Sequence, residues 1–109
     1  MITRIWHGWT THENADTYQG LLEAEILPDI ARREIPGYRG VHLIRRAHPD
    51  EVEFITMMWF DSLDSVRTFM GEDYEVAHVP AAARAVLARF DNRSQHYDVI
   101  LEPEQTVSA

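Results

Sequence analysis

The sequence predicts an α+β domain built on one antiparallel sheet, and three observations lead to that prediction. Apolar residues recur with strand periodicity in four segments and with helical periodicity in three, in the order β-α-β-β-α-α-β. The length of 109 residues suits one domain with one core, since 45% of the residues are hydrophobic and 26% are charged. The predicted strands also carry large apolar side chains on both faces, which the few helices of this chain cannot cover alone.

The first half of the chain is predicted to form a strand, a long helix and a second strand. Alternating side chains define the first strand, Ile2–Thr10, and small oxygen-bearing residues after it can cap a helix. Apolar residues at helical spacing then predict an amphipathic helix to about Glu34, with a kink or break at Pro28, because proline removes one backbone hydrogen bond. The Ile-Pro-Gly-Tyr sequence of residues 35–38 predicts a turn, and residues 39–47 predict the second strand.

The second half is predicted to contain a strand, two helices and a final strand. The third strand covers residues 51–60, and a helix over Leu63–Met70 follows it. Residues 72–79 are predicted to form a helical turn, and the proline after them suits the first turn of a third helix over residues 81–90. The last strand is predicted at residues 94–101.

This order of elements is the ferredoxin-like, split βαβ plan, in which the first and third strands lie at the centre of the sheet. Residues 1–101 are expected to form that domain, and residues 102–109 are expected to be a flexible tail because they show no apolar pattern. The helices cover one face of the sheet, so the apolar side chains on the other face predict a homodimer in which two sheets meet. The alternative is that residues such as Trp6 and Trp9 are simply exposed.

Composition and charge exclude several classes of protein. The chain has no cysteine, which removes disulfides, thiolate metal sites and cysteine nucleophiles. Its net charge is −8 and its basic residues cluster only in pairs, Arg32–Arg33 and Arg45–Arg46, so nucleic acid is not an expected partner. No segment has the pattern of a signal peptide or a membrane span, so we expect a cytoplasmic protein without a membrane partner. No cofactor and no metal site is predicted, because the motifs for nucleotides, hydrolase nucleophiles and HExxH metals are missing.

Four segments carry a resemblance to a known family. They are Arg4-Ile5-Trp6-His7-Gly8-Trp9, Ile35-Pro36-Gly37-Tyr38-Arg39-Gly40, Trp59-Phe60-Asp61-Ser62 and Tyr74-Glu75-Val76-Ala77-His78. Together they resemble the antibiotic biosynthesis monooxygenase-like group of dimeric α+β barrels, over about residues 1–101. The resemblance implies a homodimer of ferredoxin-like protomers. It is more specific for fold than for activity, because the superfamily includes cofactor-free quinone-forming oxygenases, haem-degrading enzymes, lactone isomerases and small proteins of no known activity.

The haem-degrading members of this superfamily can be compared with the chain residue by residue. His78 falls where they carry the histidine that ligates haem iron, and His7 stands near the position of their first-strand asparagine. Thr68 and Phe69 occupy the region of the tryptophan in their second helix. Because two of these three positions differ, the comparison weakens haem degradation as a function and leaves haem binding through His78 open.

Two pairs of residues are candidate acid–base groups. Tyr74 and His78 are four residues apart, so a helical turn would place them on one face, where a phenol and an imidazole could deprotonate a phenolic substrate. His7 and His96 lie on strands that we expect to be antiparallel neighbours, and Asp98 could orient an imidazole. The alternatives are a tyrosine packed on the core beside an exposed His78, and histidines that only form hydrogen bonds on a sheet surface.

Aromatic side chains and one arginine are the candidate substrate-binding residues, together with His96. Trp6, Trp9 and Trp59 could stack on a flat aromatic ligand, although packing in the core and the dimer is the simpler explanation. Arg84 lies on the third predicted helix and could reach a substrate anion, unless it is a solvated helix position.

The function expected from these residues and from the resemblance is cofactor-independent monooxygenation of a small aromatic or hydroquinone-type compound. His78 or His7 would remove a phenolic proton, with Tyr74 assisting, and the electron-rich anion would react directly with oxygen. The alternatives are a non-catalytic small-molecule or haem-binding dimer and a haem-degrading-type oxygenase. The sequence therefore leaves open whether the protein is an enzyme.

Overall fold

The computed structural model describes residues 1–103, which form one antiparallel sheet with helices on one of its faces. The predicted tail lies outside the described residues from residue 104 onward. In chain order the elements are β1 (Ile2–Thr10), α1 (Ala15–Leu21), a π-helical turn (Leu22–Ile26), α2 (Leu27–Arg32), β2 (Tyr38–Ala47), β3 (Val52–Phe60), α3 (Leu63–Met70), α4 (Ala81–Val86), β4 (Arg89–Phe90) and β5 (Gln95–Asp98).

The sheet has the strand order that the ferredoxin-like plan requires. β2 pairs with β3, β3 pairs with β1, and the two short strands β4 and β5 both pair with β1, all in antiparallel orientation. β1 and β3 are therefore the central strands, and their register runs from Ile2 opposite Phe60 to Thr10 opposite Val52. The α+β, ferredoxin-like fold predicted from the sequence is confirmed.

The long first helix is interrupted as predicted, but by a π-helical turn rather than by a simple kink. Leu22–Ile26 widen the helix immediately before Pro28, which lies in the first turn of α2. Pro28 has no N–H to donate to the carbonyl of Ala24, and its ring would crowd that carbonyl in a regular helix. The wider turn removes this conflict, and π-helical turns of this kind occur frequently at functional sites.

Two predictions for the second half of the chain are wrong. The third helix ends at Val86 instead of continuing to residue 90, because Arg89–Phe90 pair with β1 as a short strand. Residues 72–79 form a loop rather than a helical turn. The carbonyls of Tyr74 and Val76 in this loop accept hydrogen bonds from the side chain of Arg4, so they are not available for helical bonds.

The hydrophobic core lies between the helices and one face of the sheet, which we call the covered face. One core cluster centres on Phe54 of β3 and Tyr18 of α1, whose rings meet edge to face at 4.9 Å. A second centres on Phe60 of β3 with Ile30 of α2 and Phe69 of α3. Together these clusters pack α1, α2, α3 and α4 against the same face of the two central strands.

The opposite face of the sheet, which we call the open face, carries the other side chains of each strand. None of its residues belongs to the two core clusters of the described chain. Ile44 on β2 remains 48% exposed and Tyr97 on β5 remains 53% exposed. The members of the open face on the long strands are Thr3, Ile5, His7, Trp9, His42, Ile44, Arg46, Glu53, Ile55, Met57 and Trp59.

Candidate functional site

A cavity lies between the covered face of the sheet and the helices. About 500 Å³ of space that protein atoms do not fill lies within its outline, including the part that is open to solvent. Its lining comes from β1, β3, the first helix with its π-helical turn, α3, α4 and the loop before α4. The lining residues are Arg4, Trp6, Tyr18, Leu22, Ile26, Leu27, Ile30, Thr56, Met58, Phe69, His78, Val79, Pro80, Ala83 and Ser94.

Aromatic rings form a large part of the cavity wall. The indole N–H of Trp6 donates a 2.7 Å hydrogen bond to the carbonyl of Asp91, which fixes the ring on the covered face. Gly8 gives this ring its space, because a Cβ at position 8 would come within 2.7 Å of it. Phe69 closes another side of the cavity and stacks on Phe60 beneath it. A flat apolar ligand would therefore meet fixed aromatic surfaces on more than one side.

A buried arginine lies in the cavity wall. Arg4 is only 3% exposed, and its guanidinium donates to the carbonyls of Tyr74 and Val76 and contacts Nε2 of His96 at 3.0 Å. The guanidinium also lies 5.7 Å from the centre of the Phe69 ring. Burial lowers the pKa of Arg4 to about 10, so the side chain is still charged at neutral pH. Within residues 1–103 no carboxylate forms an ion pair with it.

His96 on β5 is directly opposite Arg4 on β1. Burial, reinforced by the charge of Arg4, lowers the pKa of His96 to about 4, so the imidazole is neutral at pH 7. Since the guanidinium can only donate, Nε2 accepts and the proton of the neutral ring is placed on Nδ1. Nδ1 is buried and has no hydrogen-bond partner among the described residues. His96 therefore supports Arg4 without neutralising its charge.

His78 lies where the cavity opens toward solvent. Its ring contacts Phe69 edge to face at 5.7 Å, and within the described chain its nitrogens form no hydrogen bond. Burial lowers the pKa of His78 below its usual value, and the positive charges of Arg33 and Arg4 lower it further. His78 also borders an outer groove that continues from the cavity, lined by Leu21, Glu25, Ile26, Asp29, Arg33, Pro80 and Ala82. A neutral imidazole with free nitrogens is a suitable proton acceptor.

The structure does not bring the predicted pair Tyr74 and His78 together as neighbours on one helix face. Because residues 72–79 form a loop, the Tyr74 ring packs edge to face on His96 at 5.1 Å instead. The guanidinium of Arg67 lies 5.3 Å from the centre of the Tyr74 ring. Tyr74 is thus behind the cavity wall, where its backbone carbonyl holds Arg4.

His7 and His96 lie on neighbouring strands, as expected, but on opposite faces of the sheet. His96 has the same orientation as Arg4, whereas His7 belongs to the open face. Nδ1 of His7 is 2.9 Å from Glu53 Oε2, and His48 contacts the other oxygen of Glu53 at the same distance. The bonds from His48 and His7 lower the pKa of Glu53. The two candidate histidines therefore cannot act on one substrate in this protomer.

The remaining candidate residues divide between the cavity and the open face. Trp6 lines the cavity, but Trp9 stacks on His7 and lies 3.8 Å beneath the guanidinium of Arg89 on the open face. Trp59 is also on the open face, where its indole N–H donates to His42 at 3.0 Å. Arg84 is exposed and bonds to the carbonyl of Val79 outside the cavity.

Sequence reasoning missed the most unusual residue of the cavity, Arg4. A signal was present, because Arg4 is a charged residue on the same side of the strand as Ile2 and Trp6, which pack into the core. A charge in the middle of an apolar strand face indicates a buried polar contact. Thr56 and Ser94 also place hydroxyl groups in the cavity wall.

Two other features are absent from the part of the chain that the structure describes. No group of three or more histidine, aspartate and glutamate side chains there is arranged to hold a metal ion. No helix among residues 1–103 has the length and apolar character that crossing a membrane requires.

The structure thus defines an α+β protein of the ferredoxin-like fold with a cavity between its sheet and its helices. It is similar to the solved structure of Rv0793 from Mycobacterium tuberculosis, with a TM-score of 0.58 and 16% identity, covering 94% of this chain and 97% of that one. The structure of the heme-degrader MhuD (Rv3592) from the same organism, with two hemes bound in its active site, gives the same score and identity and covers 94% and 98%. No protein-family model matches the chain, and a comparison with the curated proteins finds no match. At this identity the likeness shows the fold alone.

Proposed function

We propose that this protein is a cofactor-independent monooxygenase that binds a small aromatic compound in the cavity and uses His78 as its base. The observation that carries the proposal is the state of His78, a neutral imidazole with free nitrogens at the opening of an aromatic-lined cavity. The charges of Arg4 and Arg33 that lower its pKa would also stabilise an anionic substrate. The predicted assistance from Tyr74 and His7 is not part of the proposal, because neither lines the cavity.

The proposed reaction needs only the substrate and molecular oxygen. A suitable substrate is an anthrone, because its activated CH₂ group tautomerises to give a phenol, the anthrol, in which this carbon keeps one hydrogen. His78 accepts the phenolic proton of the anthrol, and the electron pair delocalises through the ring onto that carbon. The carbon forms a bond to one oxygen atom of O₂, and the outer oxygen takes the proton back from His78 to give a hydroperoxide. Loss of the remaining C–H proton breaks the O–O bond, so that the carbon becomes a carbonyl and the outer oxygen leaves as water.

Oxygen uptake by metal-stripped protein tests this proposal on a panel of anthrones and hydroquinones. We expect uptake by the wild-type protein and a loss of about 10²- to 10⁴-fold in His78→Ala, which is the usual contribution of a general base. His12→Ala is the matched control, because His12 is exposed and lies outside the cavity. Unchanged uptake in His78→Ala would exclude His78 as the base, and no uptake with any compound would favour a non-catalytic binding protein.

A second copy of this chain is the proposed partner of the open face. Apolar side chains such as Ile44 and Tyr97 are about half exposed there, while polar neighbours are bonded to one another. A face whose polar groups are mostly bonded to one another can be buried against an identical face at a smaller desolvation cost than a face whose polar groups are unpaired. Two sheets placed in this way form the dimeric α+β barrel that the sequence predicted.

Sedimentation velocity tests the dimer with two aspartate substitutions. Ile44→Asp places a charge in the proposed interface, and we expect it to weaken self-association by at least about tenfold. Ala85→Asp places the same charge on an exposed position of α4 and should leave the dimer unchanged. A wild-type protein that remains a monomer at every accessible concentration would contradict the proposal.

Haem binding through His78 is the second candidate function. A neutral imidazole with free nitrogens fits an axial ligand of haem iron, and Arg33 in the outer groove fits a haem propionate. Similarity in fold to the heme-degrader MhuD also favours this candidate. When bound, haem would supply the iron for oxygen chemistry, and this chain would supply the ligand and the apolar cavity. A Soret band that shifts on titration with wild-type protein and disappears with His78→Ala would support it, whereas an unshifted band would exclude it.

A further inference from the structure

We infer that the cavity takes a small aromatic anion, and that Arg4 binds the charged oxygen of this ligand. This inference rests on the proposed function in using the same cavity, and it names the chemical class of the substrate as a planar carboxylate or phenolate. His78 and Arg4 then have separate roles, because His78 acts on a proton and Arg4 binds and positions the anion.

The hydrogen bonds of Arg4 leave part of its guanidinium available. An arginine side chain has five N–H donors. In this structure Nη1 contacts the carbonyl of Tyr74 and Nε2 of His96, and Nη2 donates to the carbonyl of Val76 at 2.9 Å. Nε–H and the second hydrogen of Nη2 have no partner among residues 1–103. A planar carboxylate can accept from a guanidinium in bidentate geometry, which neither a loop carbonyl nor an imidazole can do.

The charge of Arg4 is also unbalanced, unlike that of most arginines in this protein. Six other arginines form ion pairs with aspartate or glutamate, namely Arg32, Arg39, Arg45, Arg67, Arg89 and Arg93. Arg4, Arg33, Arg46 and Arg84 form none within the described chain. The guanidinium groups of Arg4 and Arg33 both lie within 6 Å of the Phe69 ring centre. The acid that acts on Arg4 electrostatically is Glu75, which is already paired with Arg93.

An unpaired cation in a buried position lowers the stability of the fold, so its presence indicates a function. Removing a charged group from water without a counter-charge is strongly unfavourable, and proteins usually pair such groups. The chain as a whole carries a net charge of −8, so carboxylates are abundant, yet none among the described residues forms an ion pair with Arg4, and the nearby Glu75 is paired with Arg93. The rest of the cavity wall is largely apolar and aromatic. An aromatic ring with one anionic group therefore complements both parts of the wall.

Benzoate and benzamide are the probes that test this inference, because they share one shape and differ in charge. Binding to the full-length protein is followed by the ¹⁵N–¹H resonance of Arg4 Nε and by calorimetry at neutral pH. We expect benzoate to bind about 10- to 100-fold more tightly than benzamide, as a charged hydrogen bond predicts, and to shift the Arg4 Nε resonance. Arg4→Met should bind both compounds equally weakly, while Arg4→Lys should keep part of the preference because it keeps the charge.

Arg84→Met is the matched control, since Arg84 also bonds to a backbone carbonyl but lies outside the cavity. It should retain the full preference for benzoate. Equal binding of the two probes, no binding of benzoate up to its solubility limit, or a preference that survives in Arg4→Met would each overturn the inference. If Arg4→Met does not fold, the wild-type comparison and the Arg4 Nε resonance still decide. Benzoate has no activated CH₂ group, so its binding is measured independently of oxygen uptake.

Discussion

The two faces of the sheet differ most in how their polar side chains are partnered. On the open face, Glu53 bonds to both His7 and His48 and Trp59 donates to His42, so most polar groups there are partnered, although Arg46 forms no ion pair with a described residue. On the covered face, Arg4 has no carboxylate partner in the described chain and Nδ1 of His96 has no hydrogen-bond partner. A surface with matched polar groups suits burial against another surface, whereas unmatched groups beside a cavity suit a ligand.

The same contrast appears in the aromatic residues. Trp6 of the covered face is fixed by a bond to the carbonyl of Asp91 and presents its ring to the cavity. Trp9 and Trp59 of the open face are each in contact with a histidine of their own face. The residue type alone therefore does not identify a ligand site, and strand parity decides which tryptophan can reach a substrate.

The largest difference that we predict between the two faces is in the free energy of unfolding. Phe54→Ala removes a side chain with 0% exposure that packs against Tyr18, and should cost about 3–5 kcal/mol. Ile44→Ala on the open face removes a side chain that is 48% exposed, and should change the stability of the monomer by less than about 0.5 kcal/mol. Urea unfolding at low protein concentration measures both values.

Protein concentration gives this comparison a second test. If the open face is a dimer interface, the loss of stability caused by Ile44→Ala increases with protein concentration. The loss caused by Phe54→Ala depends mainly on the core of each protomer. Equal losses in the free energy of unfolding for the two variants at low concentration would contradict the division into a covered and an open face.

The fold could be predicted from the sequence because period-two alternation and helical spacing depend only on neighbouring residues. The strand pair of Ile2–Thr10 with the third strand, and the break near Pro28, were predicted in this way. The helical turn at residues 72–79 was predicted wrongly because its structure depends on a distant side chain. Arg4 is about seventy positions away in the sequence, and its bonds to two carbonyls of this loop favour an extended path.

The candidate site was predictable only in part for the same reason. His78 and Trp6 were singled out by residue type, and the structure places both in the cavity wall. The parity of His7 could not be related to a face until the helices had been placed on the sheet, because both faces of the strand are apolar. Arg4 was not singled out because its importance lies in being buried without an ion pair to any described residue, which is a property of the packed structure.

Acid titration should distinguish the faces by the pH range in which each loses stability. The pKa of His96 falls from about 6.5 in the unfolded chain to about 4 in the fold, so its contribution is complete above pH 6.5. Between pH 6.5 and 4 the unfolded chain takes up the proton and the fold does not, which costs at most about 3 kcal/mol. Glu53 has a lowered pKa, so its contribution is present above its unfolded value of 4.5 and is lost below that pH.

His96→Gln and Glu53→Gln separate these two contributions in urea unfolding from pH 8 to pH 3. His96→Gln should flatten the stability profile above about pH 4, and Glu53→Gln should flatten it below about pH 4.5. A profile that is unchanged above pH 4.5 in His96→Gln would show that this histidine is accessible to protons in the folded state.

The smallest effect that we predict concerns crowding on the covered face, tested with two glycine-to-alanine substitutions. At Gly8 the new Cβ would lie 2.7 Å from the Trp6 ring and 3.1 Å from Leu87, so Gly8→Ala should cost about 1–3 kcal/mol. Gly20 is an exposed position in α1 with no atom within 4 Å of a new Cβ. Gly20→Ala should therefore stabilise the protein by about 0.5–1 kcal/mol through its helix propensity.

The two substitutions are expected to change the stability in opposite directions, which makes the test specific to the covered face. Thermal unfolding measures both stabilities, and the binding of benzoate reports on the cavity at the same time. A methyl group at position 8 would force the Trp6 ring to shift within the cavity wall. Gly8→Ala should therefore also weaken benzoate binding, whereas Gly20→Ala should not. A Gly8→Ala protein with wild-type stability and wild-type binding would show that the ring moves away from both Gly8 and the ligand site.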